Sequence, residues 1–195
     1  VLRELSLLAD EKVNLAIDVA NVFLVKSLDS PHSAGHPFVH SIVMSLFLLV
    51  KPLQHADARE AVEKACRAIE TRSDFTMEKT KAAACQLLLW RSGEASYKNK
   101  RWTEAADWFV LSASPAFQST SSAQSRSIRK AALCYIQQGE YAQASLLVSK
   151  CSQAEASTCY IKFLAAVHQG LEGEGIIPSS FHIYVTRATK TFWLG

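Results

Sequence analysis

The amino-acid sequence predicts an all-α protein, a solenoid of antiparallel helix pairs ending in an irregular C-terminal tail. Three observations carry this expectation. The 195 residues include only seven glycines and five prolines, which suits long helices better than many turns. Apolar residues keep the three-and-four spacing of a buried helical stripe through most of the chain as far as Gly170. Between Leu87 and Cys151, one helix-turn-helix unit is written twice.

Taken in order, Leu2 to Leu28 reads as one long helix or a closely broken pair. Its stripe is Leu8, Val13, Ala16, Ile17, Ala20, Phe23 and Leu24, and Asp29-Ser30-Pro31 stops it. Pro31 to Pro37 is a loop. His32, His36 and His40 would align on a helix, but Pro31, Gly35 and Pro37 disfavour that helix and with it a metal site. Phe38 to Val50 is a mostly apolar run of 13 residues, short of the roughly 20 that a membrane span needs. It predicts a helix buried on most sides, ended or kinked by Lys51-Pro52.

Asp57-Ala58-Arg59-Glu60 has the form of a capping box opening the next helix, which carries Ala61, Val62, Ala65, Cys66 and Ile69 on one face. Asp74 or Thr76 caps the helix that runs through Ala83, Leu87 and Trp90 to about Tyr97. Ser114 to Ser122 is loop chemistry, expected on the surface. A further helix starts near Ser125, and a second capping box, Ser152-Gln153-Ala154-Glu155, opens a last helix that ends at Gly170. Beyond it, Gly173, Gly175 and Pro178 break the helical pattern, and Phe181 to Thr186 alternates like a strand. The expected organisation is a helical repeat domain over 1–170, with its best-defined repeats at 87–113 and 126–151, and a tail over 171–195. That tail is disordered, wrongly joined, or bound to something outside the chain.

The two copies set the register. Trp102 and Tyr141 are each followed three residues later by alanine, Ala105 and Ala144, and seven residues later by Phe109 and Val148. Small or aromatic residues of the preceding helix come first in each copy: Gly93 and Tyr97, then Ala132 and Tyr135, with Gly139 at the second turn. Small residues let two helices approach, and the aromatics fill the flanking gaps. The order matches the tetratricopeptide (TPR) pattern, although Trp102 and Tyr141 stand 39 residues apart rather than about 34. The excess falls in the Ser114–Ser122 loop, where a solenoid tolerates insertion.

Little in the chain points to catalysis. Phosphate loops, nucleophile elbows, zinc-binding His-Glu-x-x-His and dinucleotide fingerprints are all missing from the sequence. Six histidines and 18 acidic residues are scattered without a catalytic pairing, so the chain is read as a non-enzyme without cofactor or small-molecule substrate. The cysteines (Cys66, Cys85, Cys134, Cys151, Cys159) show no Cys-x-x-Cys spacing and are expected to be reduced core thiols of an intracellular protein. A net charge of +3 is too small to argue for nucleic acid. The basic turn of Lys98, Lys100 and Arg101 is better explained by solvation at a helix C-terminus than by direct DNA binding. Val1 is not a methionine, so a targeting segment is expected to be absent from view.

The surface expected to matter is the groove that stacked first helices present. In the TPR register it takes Trp90, Glu94 and Lys98 from one unit and Arg126 and Arg129 from the other. Trp90 and Glu94 stand where chaperone-type TPRs place residues that hold a peptide carboxylate, so that mode is disfavoured. An aromatic and arginine surface suits a larger protein partner. Equally open is that Trp90 and Tyr97 pack internally while Arg126 and Arg129 form a solvated face.

The phrases from Leu87 to Phe109 and from Arg129 to Tyr141 go further than a generic repeat. Their most specific part runs Trp90-x2-Gly93, then Tyr97-Lys98-x-Lys100-x-Trp102, then Ala105-Ala106-x-Trp108-Phe109. Over about Val13 to Gly170 the chain resembles the meiosis-specific TPR scaffold family, the sporulation or "Zip-four" type of the ZMM crossover group. That resemblance implies a nuclear hub on meiotic chromosomes. Such a hub gathers other crossover-promoting ZMM-group proteins and synaptonemal complex components. Family members are much longer solenoids, which implies that this chain is a fragment or a truncated product. The alternative is a TPR adaptor of another intracellular multiprotein complex.

Overall fold

The computed structural model describes residues 2–29, 36–72, 75–117 and 121–169. Among these, all regular structure is helical. The helices are α1 (Leu2–Asp29), α2 (His36–Leu49), α3 (His55–Glu70), α4 (Lys79–Lys98), α5 (Trp102–Ser112), α6 (Ser121–Gln137), α7 (Tyr141–Val148) and α8 (Ala156–His168), with a short 3-10 turn at Pro115–Phe117. They form two compact units that divide inside α4, after Arg91; the 3-10 turn belongs to the first. The C-terminal segment from Gly170, including the strand-like Phe181 to Thr186, lies outside the described residues, as does His32.

In the first unit α1 packs on α2 and α3. Lys12 (φ −145, ψ 78) breaks α1, which is therefore two helical segments joined at a kink. The buried stripe of its longer segment is Ala16, Ile17, Ala20, Leu24 and Leu28. Against it stand Val39, Ile42, Val43, Leu46 and Phe47 of α2, and Ala58, Val62, Ala65 and Ile69 of α3. Cys85, on the buried face of α4, lies 3.8 Å from the Met44 sulfur and 3.9 Å from His40 Nδ1. Burial, with Lys81 nearby, holds the His40 pKa below its ordinary value.

Several local expectations are corrected here. The Asp57–Glu60 box lies inside α3, which starts at His55 after an extended Gln54, so Asp57 is a first-turn acid rather than the cap. Thr76 stands three residues before the first residue of α4, too early to be its cap, and Asp74 is outside the described set. Helix α6 begins at Ser121, ahead of Ser125. The Ser114–Phe117 stretch is not a surface loop: Ala116 and Phe117 are buried, and Phe117 meets the Phe47 ring edge-on at 6.4 Å. Ser114 Oγ donates to Glu70 Oε1 at 2.5 Å and accepts from the Ala116 amide at 3.2 Å. One aromatic side chain with a core to enter outweighs the loop-forming residues around it.

The second unit repeats a helix pair with its turn. Tyr97, at the end of α4, meets Trp102, at the start of α5, edge-on at 5.0 Å. The Lys100 amide donates to Tyr97 O and the Arg101 amide to Ser96 O, at 3.0 and 2.9 Å. Thirty-nine positions on, the Gly139 amide donates to Ile136 O and the Glu140 amide to Tyr135 O, at 3.1 and 2.9 Å. Both turns are left-handed helix C-terminal motifs, with φ of 58 at Lys100 and 80 at Gly139. Glycine takes that conformation freely, whereas lysine is held in it at a cost of about 1 kcal/mol.

Burial matches across the two copies: Ala105 and Ala144, Phe109 and Val148, and Ser112 and Cys151 are all buried. Trp102 and Tyr141 are half-buried, and Tyr141 stacks on His168 of α8 with centroids 5.1 Å apart. The turns carry the chain back and forth. Thr103 Oγ1 donates to Gln138 Oε1 at 2.8 Å, and Gln124 Nε2 donates to Ala113 O at 3.0 Å, so α5 and α6 are antiparallel. Ala132, Ile136, Ala144, Val148, Ile161 and Ala165 form one core shared by α6, α7 and α8.

Gly93 explains how closely α4 and α5 approach. A Cβ there would sit 2.8 Å from Phe109 Cε1 and 2.9 Å from Cδ1, against a fully buried ring. Gly93→Ala gains about 1 kcal/mol of helix propensity but overpacks the contact by about 1–3 kcal/mol. A net loss of about 1 kcal/mol is expected in chemical denaturation, partly recovered in Gly93→Ala/Phe109→Leu. Equal stability of Gly93→Ala and the parent would show that the ring moves aside.

Candidate partner-binding surface

Unit two presents α4, α6 and α8 as its successive first helices. Lys130 of α6 reaches to α4, where Nζ lies 3.1 Å from Glu94 Oε1 and 5.0 Å from the centre of the Tyr97 ring. Burial, ahead of neighbouring negative charge, raises the Tyr97 phenol pKa, so the ring stays neutral under the cation. On the other side of α6, Arg129 pairs with Glu155 and lies 3.4 Å from Thr158 Oγ1 of α8. Glu155 is the residue before α8 and makes no side-chain cap bond, so the Ser152–Glu155 box is corrected to a turn before the helix. The Arg129 guanidinium draws the Glu155 carboxylate towards α6.

The groove candidates therefore divide. Glu94 and Arg129 face neighbouring helices of their own unit and hold them in register. Lys98 and Arg126 are exposed. Trp90 is half-buried on α4 in the other unit, with a partner within the protein. Spacing marked Tyr97 as a packing residue but gave no sign of Lys130 or Glu155 as inter-helix ties, because their partners Glu94 and Arg129 lie on other helices, far off in sequence. The Arg129 side chain is 15% exposed and that of Glu155 33%, between a surface pair and a buried one. Arg129→Ala is expected to cost about 1–2 kcal/mol, because it strands a half-desolvated carboxylate. Lys98→Ala should stay within about 0.5 kcal/mol. Urea midpoints of the two variants check this; equal midpoints would place the Arg129–Glu155 pair in solvent.

No group of three or more histidine, cysteine or acidic residues among the described residues is arranged to hold a metal ion. None of the described helices is long and apolar enough to cross a membrane. Of the cysteines, Cys66, Cys85, Cys134 and Cys151 are buried and Cys159 is half-buried, which corrects the expectation of five core thiols. Burial pushes the Cys66, Cys85 and Cys134 thiols up to about 12. These thiols stay protonated in the folded chain while the unfolded chain ionises near 9, so their contribution is complete below that pH and is lost as pH rises towards 12.

Comparison with known proteins adds one finding. The family model described as "Meiosis protein SPO22/ZIP4 like" matches residues 1–114, more than half of the chain. That span takes in α1 to α5 and the whole Trp90–Phe109 block, and ends before α6. No curated protein and no solved structure matches the chain. The match covers the first unit as far as Ser114 and the first copy of the repeated helix pair, and on it the chain belongs to the SPO22/ZIP4-like family of meiosis proteins.

Proposed function

We propose that this chain is a non-enzymatic, TPR-like scaffold acting in meiotic recombination, in crossover formation and synaptonemal complex assembly. The observation that carries the reading is the family match over residues 1–114. The repeated turn and the matched burial of the two helix pairs support a TPR-like stack, since the same small and aromatic positions serve the same contacts in each. Such a stack works by holding proteins, and its partners here are other crossover-promoting proteins and synaptonemal complex components on meiotic chromosomes in the nucleus.

Deleting the encoding gene tests the reading. Crossovers should fall and synapsis should be incomplete, while meiotic DNA breaks form in normal number. Staining of spread meiotic nuclei should place the tagged protein along chromosomes. Normal crossover numbers and normal synapsis in the deletion would refute the proposal, as would a protein confined to the cytoplasm of meiotic cells.

A further inference from the structure

Inside the first unit, three metal-ligating side chains meet between α2 and α4. Cys85 Sγ of α4 lies 3.8 Å from Met44 Sδ and 3.9 Å from His40 Nδ1. His40 and Met44 are one helical turn apart on α2, so they stand one above the other on a single face of that helix. Cys85 is fully buried, while His40 and Met44 are half-buried. The thiol is the floor of the cluster, and the imidazole and thioether are its outer edge, where an ion can enter.

The separations are those of donors around one ion. Three donors set at about 120°, with bonds of about 2.3 Å to sulfur and about 2.1 Å to nitrogen, stand about 4.0 Å apart sulfur to sulfur and about 3.8 Å apart sulfur to nitrogen. The observed 3.8 and 3.9 Å lie within about 0.2 Å of these values. Donor type decides which ion fits. A thiol beside a thioether is a soft pair, which selects Cu(I). Charge points the same way. No carboxylate joins Cys85 and His40 as a third ligand among the described residues. Lys81 and Glu78, the charged neighbours of His40, pair with each other at 3.1 Å. A monovalent ion on the Cys85 thiolate is therefore neutral, whereas a divalent ion would leave a net positive charge in the core. Burial, with Lys81 nearby, lowers the His40 pKa, so the imidazole is neutral and, with its proton on Nε2, offers a lone pair at Nδ1.

We propose that Cys85, Met44 and His40 form a binding site for a single Cu(I) ion, a clasp that joins α4 to α2. The ion gains bonds to Cys85 Sγ, Met44 Sδ and His40 Nδ1. The Cys85 S–H bond breaks, its proton passes to solvent, and no electron is transferred. The site stands independently of the proposed meiotic role, because binding is read on the purified chain.

The probe is Cu(I) itself, kept reduced without oxygen and titrated into the full chain in competition with a chromogenic Cu(I) chelator. One tight equivalent is expected, with a raised melting temperature. The other cysteines could also take Cu(I), and Met44→Leu separates the site from plain thiol binding because it leaves every thiol in place. That swap keeps the side-chain volume and should weaken binding about tenfold or more. His40→Phe should do the same, and Cys85→Ala should abolish the tight equivalent. Undiminished affinity of folded Met44→Leu or His40→Phe would overturn the site, as would a tight equivalent retained in Cys85→Ala. Zn(II) displacing Cu(I) at equal concentration would overturn the choice of ion. X-ray absorption at the copper edge, with one equivalent bound to the parent chain, should show two sulfur donors and one nitrogen; sulfur alone would refute the cluster. Should the variants fail to fold, that spectrum decides alone.

Discussion

Ala105→Arg is expected to unfold the second unit. Ala105 is 0% exposed on α5, at the centre of a broad covered face with Ala106, Trp108, Phe109, Leu111 and Ser112, while the exposed strip of the helix lies at Thr103 and Val110. No rotamer carries a guanidinium from that position to water without parting α5 from its neighbours. Burying a charge without a partner, added to the overpacking, should cost about 4 kcal/mol or more, a large share of the stability of a domain this size. Loss of helical circular dichroism at the parent's midpoint temperature is the readout. An unchanged melting curve would mean that Ala105 does not face the helix contact.

Phe109→Ala is the second large effect, and it works in the opposite sense, by leaving space. The ring is fully buried and lies over Gly93, so the residue opposite has no side chain with which to fill the gap. Removal should cost about 3–5 kcal/mol, at the upper end of the range because the backbone of α4 has little freedom to collapse inward. Denaturant unfolding measures it, and a midpoint within error of the parent would remove Phe109 from the core. The Gly93–Phe109 pair should be strongly non-additive: with the ring gone, Gly93→Ala should cost nothing and recover the helix propensity of alanine.

How much of this was legible in the sequence follows from what each feature depends on. Trp102, Ala105 and Phe109 repeat as Tyr141, Ala144 and Val148 because packing constrains volume and spacing together, and both leave a mark on residue type. The left-handed turn was announced at Gly139 but not at Lys100, since a lysine held in that conformation has no composition signal. Helix starts failed where tertiary partners competed with local capping. Glu155 is drawn to Arg129 from another helix, and His55 extends α3 ahead of its apparent box. Phe117 failed for a related reason: serines and a proline mark a loop, but a single aromatic residue decides whether that loop stays outside. The cluster of Cys85, His40 and Met44 needs two helices more than 40 residues apart to face one another, and no local window contains both. Among the groove candidates, residue type marked Glu94 and Arg129 as polar and surface-compatible, while only the contacts of Lys130 and Glu155 show that they tie neighbouring helices.

The buried thiols give the chain built-in timers. Cys66 and Cys85 sit in the core of the first unit, Cys134 and Cys151 in that of the second, and Cys159 is half-buried. An alkylating reagent reaches a core sulfur only while its surroundings are open, so the labelling rate is the intrinsic thiolate rate scaled by the open fraction. Cys159 should label first. Following the tryptic peptides through one time course, with fragmentation to tell Cys151 from Cys159 on their shared 151–162 peptide, would then yield a separate opening free energy around each core sulfur, two in either unit, from the natural residues and without an introduced probe.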